Sequence, residues 1–232
     1  METRTKRDDR VLTLEGNNMI NKENYSIDAF HKVPAVSDSD SLGVQRESHL
    51  VKACQTCTIE GSVLEFGVHK GKTINVMSKV FPNDTLYGFD SFEGLPEDWN
   101  ISTNPKKNKH KKGYFAVDKL PSVSKNVELV KGFFDTSLPK WLEDNNPKPI
   151  KLLHVDSDLY SSAKTVLTLL NDSIVKDTII VFDEFYAWGR KRYETWEDHE
   201  YKALHEWITD FDREFEVLYR SNHQQCSIRI TK

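Results

Sequence analysis

Acidic side chains follow two apolar stretches of this chain, each placed where a buried strand would end. Asp156 follows residues 150–155, and Asp183 and Glu184 follow residues 178–182. Because the carboxyl ends of neighbouring parallel strands meet at one edge of a sheet, we expect the three carboxylates to converge. At ~4 Å and an effective dielectric of ~20, each pair of charges would repel by about 4 kcal/mol. A proton or a cation has to relieve this repulsion, and oxygen ligands favour a hard cation, Mg²⁺ or Ca²⁺.

A competing interpretation is that the same carboxylates cap the N-termini of the following helices, where Asp and Glu are stabilising. We accept it for Asp158, which precedes a helical pattern starting near Tyr160. For Asp156, Asp183 and Glu184 we predict metal binding or catalysis. Asp156 is assigned as the general base, because one of its oxygens can hold a cation while the other accepts a proton. Second-line candidates near the same edge are His69, Lys70, His154, His199 and Glu200.

A strand, a glycine turn and a helix are predicted for residues 62–80. The turn contains Gly67 and Gly71, but it is one residue too short for a P-loop, and it lacks the glycines of the G-x-G-x-x-G fingerprint. Glu65 stands directly before the turn, where a carboxylate would repel a phosphate and attract an ammonium group or a ribose hydroxyl. We therefore expect a ligand with a positively charged head.

Further apolar runs predict the sheet that positions these residues. Strands are expected at residues 85–89, 127–130, 150–155, 178–182, 215–219 and 225–230, with helical patterns between most of them. The fold predicted is α/β, a doubly wound and mostly parallel seven-stranded sheet that ends in an antiparallel hairpin. Asp90 ends the second strand, ~20 residues beyond the glycine turn, which is where such folds bind a ribose diol. The alternative for Asp90 is a turn cap.

Three motifs occur in order along the chain: Glu65-x-Gly67-x-x-x-Gly71, the run from Tyr87 to Pro96, and Asp156-Ser157-Asp158-Leu159-Tyr160. Together they resemble class I S-adenosylmethionine-dependent methyltransferases, and most closely the macrocin O-methyltransferase-like family. The resemblance extends from about Gly61 to Ile230. Two positions depart from the family pattern: Lys72 stands where a further glycine is common, and Glu184 stands where an Asp is usual.

The resemblance implies an O-methyltransferase that acts on a hydroxyl of a small molecule or sugar. It implies that S-adenosylmethionine contacts a set of residues near the strand ends: Glu65, Gly67, Gly71, Asp90, Ser91 and Phe133. It also implies a metal site of Asp156, Asp183 and Glu184, holding Mg²⁺ or another hard divalent cation. Two alternatives stay open at this point, a metal-independent N-methyltransferase and a P-loop-like ATPase.

Composition excludes several other classes. The chain has 232 residues and a net charge of −4, whereas a nucleic-acid-binding protein is expected to carry a basic face. No stretch approaches the ~20 apolar residues of a membrane span, and residues 1–10 lack the apolar core of a signal peptide. We therefore expect a cytoplasmic enzyme that binds neither nucleic acid nor membrane, with homo-oligomerisation left open.

Three segments outside the motifs have open roles. Residues 1–44 are polar and are predicted to be an N-terminal extension, partly disordered or acting as a lid, ahead of a methyltransferase domain at 45–232. Residues 97–121 form a long connection with five lysines at 106–112, either a lid that attracts an acidic acceptor or a solvated loop. Cys54 and Cys57 form a C-x-x-C, for which we favour buried structural thiols over a redox or zinc site.

Overall fold

The computed structural model describes residues 19–37, 41–145, 149–188 and 193–232. The strands in these ranges are β1 (Met19–Ile20), β2 (Ser62–Phe66), β3 (Leu86–Asp90), β4 (Val127–Lys131), β5 (Ile150–Val155), β6 (Ile179–Phe182), β7 (Phe215–Arg220) and β8 (Cys226–Ile230). The helices are α1 (Ile27–His31), α2 (Leu42–Thr56), α3 (Lys72–Val80), α4 (Phe134–Asn145), α5 (Tyr160–Leu169) and α6 (Glu200–Asp210). Within the described ranges, none of these helices has the length and apolar character needed to cross a membrane.

All eight strands form one sheet, in the order β1-β7-β8-β6-β5-β2-β3-β4. The pairs from β6 to β4 are parallel, whereas β8 runs antiparallel to both β6 and β7. The predicted α/β class and the closing antiparallel hairpin are therefore confirmed. The predicted count of seven strands was one short, because β1 adds an antiparallel edge strand through Met19 and Ile20. Two residues are too few to carry a strand periodicity.

Helices cover both faces of the sheet, so the central strands are apolar on both sides. On one face α2 and α3 bury Leu50, Ile74 and Met77 against β2 and β6. On the other face α4, α5 and α6 bury a larger cluster around Trp207 and Phe182. Because β2 has β3 on one side and β5 on the other, the chain changes direction there, and a crevice opens at the carboxyl ends of these strands.

The described part of the N-terminal extension is packed into the core. Phe30 of α1 is fully buried, with ring centroids 4.7 Å from Phe185 and 6.0 Å from Phe215. Farther along, the amide of Val36 donates to the carbonyl of Arg220 on β7. Residues 19–37 thus help to complete the edge of the sheet. Residues 1–18 and 38–40 of the predicted extension lie outside the described residues.

The long lysine-bearing connection at residues 97–121 is folded. Trp99 is buried, and its amide donates to the carbonyl of His110 across a short bridge. Two of the lysines make ion pairs of 2.8 Å, Lys107 with Glu194 and Lys111 with Asp98. The segment is therefore held by local contacts against the rest of the domain.

The three cysteines are free thiols, and two of them, Cys54 and Cys226, are buried. Cys54 lies on the buried side of α2, and the Sγ of Cys57 donates to the carbonyl of Lys151 at 3.4 Å. Burial raises the pKa of the Cys57 thiol to about 12, so the reactive thiolate is scarce at neutral pH.

Candidate functional site

A cavity of about 630 Å³ opens at the carboxyl ends of the parallel strands. It is bounded by residues that follow β2, β3, β4, β5 and β6 in turn, which is the location where open α/β sheets bind ligands. Six of the residues predicted for the site line it: Gly67, Asp90, Ser91, Phe133, Asp156 and Glu184. Three other predicted residues are not part of its lining: Glu65, Gly71 and Asp183.

The glycine turn brings two strands into close contact. Gly67 has φ of +103°, and a Cβ built on it would lie 1.8 Å from the carbonyl oxygen of Asp156. Only glycine allows both this backbone conformation and this approach. Gly71, with φ of +75°, is the N-cap of α3, and its role here is to start that helix. The turn therefore sets the spacing between the ends of β2 and β5.

Asp90 ends β3 and organises the loops around it. One carboxylate oxygen accepts from the amide of His69 at 2.7 Å, and the other accepts from the amide of Phe92 at 2.6 Å. The turn-cap role and the cavity-lining position thus belong to the same side chain. A carboxylate offers about four lone-pair positions, so both oxygens of Asp90 can still accept from ligand hydroxyls. Ser91 beside it donates to the carbonyl of Gly94.

The two phenylalanines after β4 have different environments. Phe133 is 37 % exposed and lines the cavity, as expected of a ring that could stack on a planar ligand. Phe134 packs edge-on against Phe66, with ring centroids 5.1 Å apart. Both rings line the cavity, but Phe134 is also packed against the core, so Phe133 is the more exposed of the two.

The carboxylates at the ends of β5 and β6 converge as predicted, but a cation from the chain itself lies between them. Arg46 of α2 donates through Nε to Asp183 Oδ1 at 2.8 Å and through Nη2 to Asp156 Oδ2. The sequence analysis missed Arg46. It lies 110 residues before Asp156 on a helix with no motif, so only spatial proximity identifies it.

Behind this cluster is a buried pair that the sequence analysis also did not predict. His154 and Glu65 are register neighbours on β5 and β2, and Nδ1 of the ring lies 2.9 Å from Glu65 Oε1. Its Nε2 lies 3.7 Å from Asp183 Oδ1, which is an ion-pair distance but too long for a hydrogen bond. Glu65 is fully buried and Oε2 has no partner among the described residues. The structure thus places Glu65 against His154, away from the cavity lining.

Burial and nearby charges shift the pKa values of His154, Asp156 and Asp183 in different directions. Burial would lower the pKa of His154, but Asp183 and Glu65 on its two sides raise it to about 10. Burial opposes ionisation of Asp183, but Arg46 and His154 hold the pKa of this carboxyl well below its usual range. Burial raises the pKa of Asp156 to about 7, although the Arg46 charge opposes this. Burial thus favours the neutral form of Asp156, whereas the Arg46 charge favours its carboxylate.

The geometry favours a metal-ligand set that differs by one residue from the predicted one. Ligand atoms of His154, Asp156 and Asp183 all lie within 4.8 Å of one another, a spacing that could hold a metal ion. Nε2 of His154 has no hydrogen-bond partner among the described residues, so a lone pair is available once its proton leaves. These donors fit a divalent cation chemically, provided that Arg46 releases the two aspartates.

Glu184, the third predicted metal ligand, is not a member of that group, although it follows Asp183 directly in the chain. It lines the cavity, while its amide donates to Glu200 Oε2 at 3.0 Å. Burial, then the charges of Asp183 and Asp158, raise the pKa of Glu184 well above its usual range. A carboxyl in this state can accept or donate a proton at the cavity wall.

Asp158 does not cap a helix, which corrects the assignment made from sequence. The N-cap of α5 is Leu159, and that helix end has no side-chain cap hydrogen bond. Asp158 has φ of +62° and lines the cavity, and burial raises the pKa of its carboxyl well above the usual range. Asp is one of the few non-glycine residue types that tolerate this left-handed conformation.

Comparison with known proteins adds a family and several structures of the same fold. The macrocin O-methyltransferase (TylF) family profile matches residues 32–220. The calicheamicin methyltransferase CalS11 is similar at a TM-score of 0.62 and 20 % identity, over 90 % of this chain and 88 % of that one. The O-methyltransferase NovP is similar at a TM-score of 0.60 and 18 % identity, over 81 % and 80 % of the two chains.

A third structure contains ligands. The mycinamycin-pathway methyltransferase MycE, in complex with Mg, S-adenosylhomocysteine and mycinamycin VI, is similar at a TM-score of 0.51 and 13 % identity. That likeness covers 90 % of this chain but 60 % of MycE. At these identities the solved structures establish the shared fold. Comparison with curated protein sequences gave no match.

Proposed function

Since this chain belongs to the macrocin O-methyltransferase family and is an S-adenosylmethionine-dependent O-methyltransferase, we propose that it methylates a hydroxyl of a small molecule or sugar with the help of a divalent cation. One observation carries the proposal. A single cavity joins Asp90, the expected ribose ligand, to Asp156 at the carboxylate cluster. Cofactor and acceptor can therefore meet inside it.

Each part of the cavity is assigned a task. Asp90 accepts from the ribose hydroxyls, Phe133 stacks on the adenine, and Gly67 lets the cofactor approach the end of β2 closely. The predicted ammonium contact of Glu65 stays a proposal, and from its buried position this carboxylate would act through its charge rather than at the cavity surface. The protein's main contribution is to hold the methyl donor and the acceptor oxygen in line.

Proton removal is assigned to the carboxylates at the end of β5. Asp156 accepts the acceptor's proton, and Asp158 is a further carboxyl group in the lining of the same cavity. Asp156 and Asp183 hold the cation, together with His154 by geometry or Glu184 by the family pattern. A bound cation supplies Lewis acidity that lowers the pKa of the acceptor hydroxyl.

The proposal is tested most directly by ligand binding and methyl transfer. Calorimetry of the purified protein should give binding of S-adenosylhomocysteine and none of ATP. Mass spectrometry of small molecules that co-purify with the protein would then supply acceptors for a methyl-transfer assay. Tight ATP binding without S-adenosylhomocysteine binding would contradict the proposal and restore the ATPase alternative. Transfer to an amine in the presence of EDTA would instead favour the N-methyltransferase alternative.

Asp90→Ala is expected to weaken S-adenosylhomocysteine binding by roughly tenfold or more, because charged hydrogen bonds to the ribose contribute about 1.5–3 kcal/mol. Calorimetric Kd values measure the effect. Asp90 also anchors the amides of His69 and Phe92, so the unfolding temperature of the variant has to be recorded as well. Glu128→Ala on the neighbouring strand β4 removes an exposed carboxylate and should leave the Kd unchanged. An unchanged Kd in a folded Asp90→Ala would remove the ribose contact.

Lys112→Ala is expected to raise the KM of an acidic acceptor, more at low salt than at high salt, and to leave cofactor affinity unchanged. Of the five lysines in the connection, Lys112 is the one that lines the cavity, while Lys107 and Lys111 are engaged in ion pairs. Lys106→Ala is the matched control, since Lys106 is exposed and does not line the cavity. Equal kinetics of both variants at low salt would assign the lysines to a solvated surface.

A further inference from the structure

Arg46 occupies the position between the two aspartates of the proposed cation site. It is the fifth residue of α2, and its side chain is 32 % exposed and lines the cavity. Through two different nitrogens it contacts one oxygen of Asp156 and one of Asp183. The guanidinium thus already neutralises the repulsion that a metal ion would otherwise relieve.

The same carboxylates are the ones that a divalent cation needs. Asp156 and Asp183 are two of the three residues whose ligand atoms lie within 4.8 Å of one another. A divalent cation bound there would be only a few ångströms from the positive guanidinium, and the two would compete for the same lone pairs. Because like charges at such a distance repel strongly in a partly buried site, both cannot occupy it together.

We propose that Arg46 is a built-in competitor of the divalent cation: its guanidinium pairs with Asp156 and Asp183 in the cation-free enzyme and leaves both when a cation binds. The inference rests on the proposed metal-assisted function and adds a residue that sets the affinity of the site. In the cation-free enzyme Arg46 keeps Asp156 and Asp183 close together. It is therefore a positioning residue for the cluster as well as a competitor.

The helix that carries Arg46 can stay in place while the side chain moves. One turn farther along α2, His49 is fully buried, and its Nε2 lies 3.1 Å from Ser227 Oγ on β8. Just before Arg46, the Oε1 of Gln45 accepts from the amide of Asn222 at 3.0 Å. These contacts hold α2 against the hairpin. Release of the aspartates then requires only rotation of the long Arg46 side chain into the cavity that it already lines.

The proposal is tested by calorimetric titration of Mg²⁺ into the full-length protein. If the cation-competent state is the minor fraction in which Arg46 has released the aspartates, the apparent Kd of the wild type is increased by the inverse of that fraction. Arg46→Ala removes the competitor, so its Kd for Mg²⁺ is expected to fall by about tenfold or more. Arg46→Lys keeps the charge but cannot reach both carboxylates with a planar fork, so its Kd should be intermediate.

Lys112→Ala is the matched control. It removes one positive charge from the lining of the same cavity without touching Asp156 or Asp183, so its Kd for Mg²⁺ should stay within about twofold of the wild-type value, as expected for a solvent-screened charge. The unfolding temperature in EDTA, and its increase on adding Mg²⁺, report whether each variant is folded. The increase should be larger for Arg46→Ala than for the wild type. If Arg46→Ala does not fold, Arg46→Lys carries the comparison.

Several outcomes would overturn the inference. A Kd for Mg²⁺ that is unchanged or weaker in the Arg46 variants would show that the guanidinium does not compete. A similar decrease in the Kd of Lys112→Ala for Mg²⁺ would show that removing any positive charge near the cavity has the same effect. Absence of Mg²⁺ binding in both wild type and variants would also overturn it. S-adenosylhomocysteine binding, titrated on the same samples, tests the methyltransferase function separately from the cation.

Discussion

Asp156→Asn is expected to leave the affinity for S-adenosylhomocysteine unchanged and to lower kcat by about 10²-fold or more, in line with general-base contributions of roughly 10²–10⁴. The substitution keeps the shape of the side chain and removes both the negative charge and the base. Arg46 retains its contact with Asp183 at 2.8 Å, so the cluster keeps one ion pair and the fold is expected to survive. The measurement is kcat at saturating acceptor, together with the calorimetric Kd of the cofactor product.

A control at the far end of a neighbouring strand isolates the effect. Asp177 precedes β6 at the end of the sheet opposite the cavity, and Asn tolerates its φ of +70°. Asp177→Asn should therefore have wild-type kcat. Wild-type turnover in Asp156→Asn would show that another residue of the cavity is the general base. Asp158→Asn would then be the variant expected to lose activity. Loss of cofactor binding in Asp156→Asn would assign Asp156 to the ligand site instead.

EDTA is expected to abolish methyl transfer by the wild type, and excess Mg²⁺ is expected to restore it. Asp183→Asn should weaken cation binding first, so high Mg²⁺ should recover part of its activity. The physical reason is that Asp183 is buried and held ionised by Arg46 and His154, which makes it a strong oxygen ligand once Arg46 leaves. Activity as a function of Mg²⁺ concentration, for wild type and variant, measures this.

Two measurements, the unfolding temperature and kcat, distinguish loss of cation binding from loss of the fold. Asp183 is itself buried and pairs with the partly exposed Arg46 and with buried His154, so the unfolding temperature of Asp183→Asn is expected to decrease by several degrees, since losing one member of a buried ion pair costs ~3–5 kcal/mol. Recovery with Mg²⁺ should raise kcat in protein that is still folded at the assay temperature. Full activity in EDTA, combined with an active Asp156→Asn, would remove the cation from the mechanism.

The approximate location of the site could be predicted from local patterns. Strand, glycine turn and helix at residues 62–80, and acidic residues after apolar runs, are signals within one short window of sequence. Parallel strands then bring their carboxyl ends to one edge, which is why Asp90, Asp156 and Glu184 were correctly expected at a common cavity. Phe133 was expected at the cofactor site only through the family resemblance, and it lines the cavity.

Side-chain direction and distant partners were decided by tertiary structure. Glu65 is fully buried beside His154 because the register of β2 against β5 places the two opposite each other, and the register depends on packing across the whole sheet. Asp183 and Glu184 are adjacent in sequence yet differ in environment: Asp183 pairs with Arg46, whereas Glu184 lines the cavity and its amide donates to Glu200. Asp158 does not cap α5 as expected, because its backbone is in the left-handed conformation and Leu159 is the N-cap residue.

The sequence by itself determined the fold class, the family and the edge of the sheet where chemistry can take place, because periodicity, turns and strand ends are local properties of the chain. Tertiary structure alone decided which charges meet at that edge. Arg46 and Asp156 are 110 residues apart and belong to no common sequence motif. They interact only because α2 packs against β6. Electrostatic interactions depend on the distance between atoms in space. When long-range packing brings two elements together, the number of residues between them does not give that distance.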